Sequence, residues 1–314
     1  MNHTYNTGRD FCRYFLLYLK QALHRVFQGV MQMICAWQEY LKILPHWMRA
    51  NVDNMGRDSL QELRLRVGQV PKLIMSNRMD RLDRVVSSED ITYVINVASK
   101  YSPWAATTIG KGYITAPGGH RIGICGDTVM QKDTVTGIRT VTSLCIRVAR
   151  DFPNLASSIP DDQNSVLIIG PPGSGKTTFL RDMIRKRSAL NRGSVAVLDE
   201  RSEIFPIING VSCYATGDNT DILTGCSKRQ GIDILLRTMG PSCIAVDEIT
   251  EEEDCKALLN AGWSGVSLMA TAHAGCAMDL YTRFVYKPLV QYHLFDTLVV
   301  LQMDKSWKVE RFCV

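Results

Sequence analysis

Gly170-Pro171-Pro172-Gly173-Ser174-Gly175-Lys176-Thr177, followed by Thr178, is the stretch on which the reading of this chain turns. Its spacing is G-x-x-x-x-G-K-[ST]. The apolar run Val166-Leu167-Ile168-Ile169 precedes it, and Phe179, Leu180, Met183 and Ile184 follow on one side of a helix. Glycines at these places let backbone N–H groups wrap a phosphate, and the N-terminus of the next helix presents positive partial charge to it. Residues 170–178 are therefore the expected phosphate cradle. Lys176 is expected to reach the β- and γ-phosphates of ATP, and Thr177 to ligate Mg²⁺. A strand, a glycine loop and a helix in that order imply an α/β fold.

Three further motifs lie downstream, each at the end of an apolar run. Cys243-Ile244-Ala245-Val246 ends in Asp247-Glu248. In a parallel sheet that strand end lies beside the phosphate loop, so Asp247 is expected on the Mg²⁺ shell and Glu248 on the attacking water. The plain alternative is a strand end with solvated acids. Val197-Leu198 ends in Asp199-Glu200-Arg201-Ser202-Glu203, where Glu200 or Asp199 could help position water or Mg²⁺, or simply favour a helix start. Val266–Met269 ends in Ala270-Thr271-Ala272-His273, where Thr271 or His273 could sense the γ-phosphate, although a lone histidine is more often structural.

Outward from these motifs, residues 165–314 alternate apolar strands with helices, the pattern of a parallel sheet. Leu298–Gln302 and Trp307–Phe312 flank Asp304-Lys305 as a hairpin. Residues 151–164, rich in Pro, Ser, Asp and Asn, read as a linker. Residues 46–150 read as a smaller α/β domain. There, Glu62 to Val67 alternates as a half-buried strand, and a helix starts at Ser88-Glu89-Asp90 and runs to about Lys100. Residues 1–45 form an extension. From 10 to 43, Phe11, Phe15, Tyr18, Ala22, Val26, Val30, Ile34, Trp37 and Leu41 recur at three- and four-residue steps, so one long amphipathic helix is expected, ended by Pro45 and His46. Its apolar stripe and its excess of Lys and Arg suit a membrane surface or a partner helix, and equally the protein's own N-terminal domain or a sister subunit.

Composition sets the outer bounds. Of 314 residues, 46% are hydrophobic and 21% charged, which excludes global disorder. The net charge of +5 permits an anionic partner without requiring one. Ten cysteines without a CxxC read as reduced and mostly buried, which makes the expected location cytoplasmic. No run is long enough to cross a bilayer, and no signal peptide is evident.

The four motifs, in this order, resemble those of the secretion-ATPase superfamily, the motors of type II and type IV secretion and of type IV pili. A closer resemblance runs from about residue 40 to the end. Glu62 to Gly68, Gly118-Gly119-His120-Arg121-Ile122-Gly123, Gly137 to Arg150, the phosphate loop, Asp199 to Ile204 and Asp221 to Lys228 are similar to the stage III sporulation AA family of endospore-forming bacteria. That resemblance implies a C-terminal RecA-like P-loop ATPase domain with a smaller N-terminal α/β domain. It also implies a homo-oligomer, specifically a hexamer, on the mother-cell side of the membrane, energising the stage III AA–AH channel proteins between mother cell and forespore. In the wider superfamily, N-terminal-domain arginines complete a neighbour's ATP site, and Arg121 and Arg147 fall where these would. One departure concerns Thr250 and the acids Glu251 to Asp254, which stand where such motors commonly carry an arginine after the catalytic Glu.

Two other functions are compatible with a phosphate loop of this kind. A RecA-like domain can be a nucleic-acid-stimulated ATPase, but no basic stripe interleaved with aromatics is visible, so nucleic acid is not an expected partner. A small-molecule kinase is disfavoured by the adjacent Asp247 and Glu248 and by the lack of a lid sequence.

Overall fold

This computed structural model describes residues 33–99, 109–110, 112–131, 133–160 and 164–312. Two short helices come first, α1 (Trp37–Ile43) and α2 (His46–Gly56). Strands β1 (Leu60–Arg66), β2 (Lys72–Met75) and β3 (Met79–Arg81) precede helix α3 (Ser88–Ser99). Strands β4 (Tyr113–Thr115), β5 (Arg121–Gln131) and β6 (Thr134–Arg147) follow it. The six strands make one antiparallel sheet in the order β3-β2-β1-β6-β5-β4. Alternation explains why one face is apolar: Leu63 and Leu65 point inward along β1, while Glu62, Arg64 and Arg66 stay half-exposed. The three helices cover the inward face, packing Tyr40, Met48, Val52, Ile91 and Val94 with Leu63, Leu73 and Ile146.

The expected helix over 10–43 is corrected in the part that is described. Residues 10–32 lie outside the described residues. Residues 33–36 are not helical, because Ile34 pairs with Asp151 in an isolated antiparallel bridge, with both N–H···O bonds at 2.9 Å. Only Trp37–Ile43 is helical before Leu44 extends and Pro45 precedes α2. Trp37 and Leu41, expected on an apolar stripe that could meet a membrane, a partner or the protein's own N-terminal domain, are buried in that domain. Trp37 stacks on Tyr40 and its Nε1–H donates to Asp53 at 2.6 Å. Helix α3 begins where expected, but Ser87 and Asp90 make its reciprocal cap.

The second sheet has seven strands. Strands β7 (Val166–Ile169) and β8 (Val195–Asp199) flank helix α4 (Lys176–Ala189) in the chain. The short β9 (Ile207–Ile208) and β10 (Val211–Ser212) pair with each other, and β11 (Thr220–Thr224) leads into helix α5 (Lys228–Thr238). Then come β12 (Cys243–Ile249), helix α6 (Glu252–Trp263), β13 (Ser267–Ala272), β14 (Thr297–Leu301) and β15 (Trp307–Arg311). The order is β11-β8-β12-β13-β7-β14-β15, parallel except for the β14–β15 hairpin. Continuous apolar runs form these strands because both faces are covered. On one side Val166, Ile168, Val197 and Ala245 meet Phe179, Leu180 and Met183 of α4. On the other, Leu167, Ile169, Leu198 and Val246 meet Ile232 and Leu235 of α5 and Leu258 of α6.

Edge strand β11 was not foreseen. Its residues are all half-buried, so it lacks both the apolar run and the clean alternation that mark strands in sequence. The stretch from Asp151 is packed rather than loose. Asp151, Ala156 and Ile159 are buried, and Asp182 of α4 accepts the N–H groups of Asn154 and Ala156 at 3.0 and 2.7 Å.

Candidate functional site

The carboxyl ends of β7, β8, β12 and β13 place all four motifs on one rim of the parallel sheet. The loop after β7 turns through Gly173 (φ +76°) and Gly175 (φ +103°), conformations that a side chain disfavours. At Gly170 a Cβ would stand 2.6 Å from Ser174 Oγ and 2.8 Å from the Leu301 carbonyl, so the loop closes only over glycine. Gly175 is the N-cap of α4 and offers no side-chain acceptor, which leaves first-turn amides directed at the loop. Ser174 Oγ is buried and without a partner among the described residues. Free amides, an orphaned hydroxyl and a local cation are what a triphosphate would satisfy, so the residues fit that group. Lys176 supplies the cation. Its ammonium curls back to donate to the Gly170 and Pro171 carbonyls, at 2.9 and 3.1 Å. Burial pulls its pKa down, and the charges of Glu248 and Asp247 push it back up. Pro171, Pro172 and Thr178 lie in the same loop and first turn, Pro172 exposed and the other two half-buried.

Asp247 and Glu248 arrive from β12, and Thr271 and His273 from β13. Asp247 accepts from Thr177 Oγ1 at 3.1 Å and from Thr271 Oγ1 at 2.8 Å. A hydroxyl and a carboxylate in contact, both on the loop side, are a hard-oxygen pair suited to Mg²⁺. The backbone N–H of Glu248 donates to Thr271 Oγ1 at 2.9 Å. His273 Nδ1 lies 2.8 Å from Lys176 Nζ, and its Nε2 lies 2.8 Å from Glu248 Oε1. An ammonium has only donors, so Nδ1 accepts and the ring proton sits on Nε2, donated to Glu248.

The acids after β8 divide. Asp199 is buried and spends both oxygens on the N–H groups of Glu203, Ile204 and Phe205, at 2.7 to 2.9 Å. It shapes the turn in which Ser202 has φ +53°, and it is not aimed at a metal. Burial raises its carboxyl to about 7 against the pull of those amides. Glu200 pairs with Lys228 at 3.2 Å, at the wall of a cavity of about 230 Å³ that Asp247 and Glu248 also line.

Arg121 and Arg147 reach the site from the antiparallel sheet. Arg121 pairs with Glu203 and lies over the Tyr113 ring at 4.7 Å, while Arg147 pairs loosely with Glu62 at 3.4 Å. Both line a cavity of about 290 Å³ together with Thr177 and Thr178 of the same chain. Within this chain the packed segment from Asp151 thus holds the antiparallel sheet beside its own phosphate loop. Asp151 accepts from Arg181 (3.2 Å) and Arg185 (2.6 Å), both on α4. Arg181 also donates to the Glu203 carbonyl and lies over Tyr214. Asp151, Arg181 and Lys305, whose ammonium meets the Gly173 carbonyl, carried no sequence signal beyond their charge, and Lys228 only closed a stretch that carried the family resemblance. Burial or a long-range contact is what marks them.

Known proteins agree with this geometry at the level of fold. The structure matches that of the Legionella pneumophila ATPase DotB with a TM-score of 0.52 and 17% identity, over 85% of this chain and 80% of that one. It matches that of the pilus retraction motor PilT with bound ADP with a TM-score of 0.56 and 15% identity, over 80% and 76%. In sequence, the chain is 22% identical over 84% of its length to the Holliday junction branch migration ATPase PINA of Sulfolobus acidocaldarius, covering 52% of that protein. It is 33% identical to stage III sporulation protein AA of Bacillus subtilis (strain 168), over 85% of this chain and 92% of that one. The family model described as sporulation stage III, protein AA matches residues 37–310. The rim of four motifs thus sits on a fold shared with the ATPase DotB and the pilus retraction motor PilT, and the chain belongs to the sporulation stage III, protein AA family.

Proposed function

We propose that this chain is a Mg²⁺-dependent ATPase that energises the stage III sporulation channel complex between mother cell and forespore, working as a homo-oligomer, specifically a hexamer. The observation that carries the hydrolytic part is the Lys176–His273–Glu248 line beside the Thr177–Asp247 pair. Lys176 would hold the β- and γ-phosphates, and Thr177 with Asp247 would hold the Mg²⁺ that neutralises them. Glu248 would take the proton of the attacking water, and Arg121 and Arg147 would meet charge developing on the γ-phosphate. The family membership supports the sporulation role, and the fold shared with secretion ATPases supports the motor reading. Work on a membrane complex would come by docking from its mother-cell face; among the described residues no helix is long and apolar enough to cross a membrane.

Free phosphate measured from Mg²⁺ and ATP, with no acceptor present, tests the reading. Glu248→Gln should bind ATP yet slow release by about 10²-fold or more, and Lys176→Ala should lose both. Wild-type protein that releases no phosphate sinks the proposal. Mass in solution with and without ATP tests the hexamer.

One observation favours a second reading, a nucleic-acid-stimulated ATPase. Arg64, Arg66 and Arg147 share the outward face of the antiparallel sheet, where Glu62 pairs with Arg64 at 2.9 Å and with Arg147 at 3.4 Å and leaves a net positive surface. Salt-sensitive stimulation by single-stranded or branched DNA would favour it.

A further inference from the structure

Lys228 takes no part in the phosphate cradle, yet it is built into the cavity beside Glu248. It is the first residue of α5 and only 7% exposed. Both features are unfavourable for a lysine. A buried ammonium loses hydration, and the first turn of a helix carries positive partial charge. Two carboxylates offset this cost, Glu200 Oε2 at 3.2 Å and Asp254 Oδ2 at 3.4 Å from Nζ.

The two partners belong to different strand ends. Glu200 follows β8. Asp254 sits in the first turn of α6, on the far side of the connection that leaves Glu248. Its Oδ2 accepts the Thr250 N–H at 3.0 Å, the Thr250 hydroxyl at 3.3 Å and the Glu251 N–H at 3.3 Å. Lys228 therefore ties the β8 end to the connection that carries Glu248. The cavity walls bring Glu200, Glu203, Glu248 and Asp254 close together, with Arg201 and Lys228 as their basic residues among those described. Without the lysine, Glu200 would be free to turn toward the Mg²⁺ and water positions assigned to Asp247 and Glu248.

We propose that Lys228 is a positioning residue for hydrolysis. By pairing Glu200 and Asp254 at once, it holds Glu200 off the reacting centre and fixes the β12–α6 connection, so that Glu248 alone faces the water. The proposal rests on the ATPase reading above. It assigns Glu200 a supporting role and gives α5 a direct hold on the catalytic rim.

The test compares K228M and K228R with wild type for steady-state phosphate release, ADP affinity by titration and thermal melting. Lys228 lies outside the cradle, so K228M should keep KM for ATP and Kd for ADP within about twofold while kcat falls about tenfold or more. K228R, which keeps the cation, should recover most of the loss. A K228M kcat within twofold of wild type overturns the proposal. So does a K228R enzyme as slow as K228M, or a loss expressed in KM rather than kcat. If K228M does not fold, K228Q takes its place; failure of both to fold beside a folded K228R makes the lysine purely structural and also overturns it. A wild-type protein without phosphate release removes the hydrolysis reading itself, and this proposal with it.

Discussion

His273 stands between Lys176 and Glu248, one ring nitrogen 2.8 Å from each. The phosphate-loop cation and the candidate base are thus joined through a single imidazole. Were Lys176 to turn to a phosphate, Nδ1 would lose its donor while Nε2–H stayed on Glu248.

His273→Ala should therefore separate binding from turnover. Lys176 loses a partner in the nucleotide-free state, so ATP affinity should hold or improve. Glu248 loses the group that orients it, so phosphate release should fall by about tenfold or more. Titration with ATP under non-hydrolysing conditions, alongside phosphate release, checks both halves. Unchanged turnover would leave His273 as a packing residue.

Arg121 and Arg147 line one cavity with Thr177 and Thr178 of their own chain. Arg121→Ala and Arg147→Ala should lower turnover with little effect on ATP affinity, because they act on transition-state charge. Mixing either variant with Lys176→Ala protein should give no rescue, since each intact cradle would still lack its own arginine. Recovery of activity on mixing would instead place these arginines across a subunit boundary.

His120 is fully buried, accepts the Ala149 N–H on Nδ1 at 3.0 Å and meets the Ala36 carbonyl with Nε2 at 3.0 Å. Burial depresses its pKa to about 4, and the nearby Arg150 charge adds to the shift while the Ala36 carbonyl opposes it. The folded pKa lies below the unfolded value of 6.5. The neutral ring thus contributes its full stability above pH 6.5, and that contribution is lost as pH falls toward 4. The loss is on the order of 3 kcal/mol. Denaturant midpoints at several pH values should show this slope in wild type. His120→Gln should be less stable at neutral pH and flatter across the window; equal slopes would refute the assignment.

Trp37 and Tyr40 are core residues of the antiparallel-sheet domain. Deleting residues 1–40 should lower the melting temperature or cause aggregation, because Met48, Ile91 and their neighbours lose cover. Fully burying one large apolar side chain is worth about 1.5–3 kcal/mol. An unchanged melting curve, with loss of binding to anionic vesicles, would restore the surface-binding reading of this segment.

The loop of residues 170–177 was legible as a candidate phosphate cradle because its pattern is local: three glycines, a lysine and a threonine stand within one loop. The strands flanking it were legible for a related reason. A strand buried on both faces must be apolar throughout: Val166–Ile169 is apolar from end to end, Val195–Asp199 is apolar up to Asp199, and Cys243–Ile249 is apolar up to Asp247-Glu248. The 3.6-residue period of residues 10–43 misled at its far end. Periodicity reports which residues share a face if the chain is helical, whereas the bridge from Ile34 to Asp151 is a contact across more than a hundred residues. Only the tertiary structure could decide that bridge, the burial of Trp37, the strand β11 and the union of Arg121 with Thr177. It alone sets Lys228 between Glu200 and Asp254. These pairings join side chains far apart in the chain, and their energies depend on desolvation and distance, which exist only after the sheets have packed.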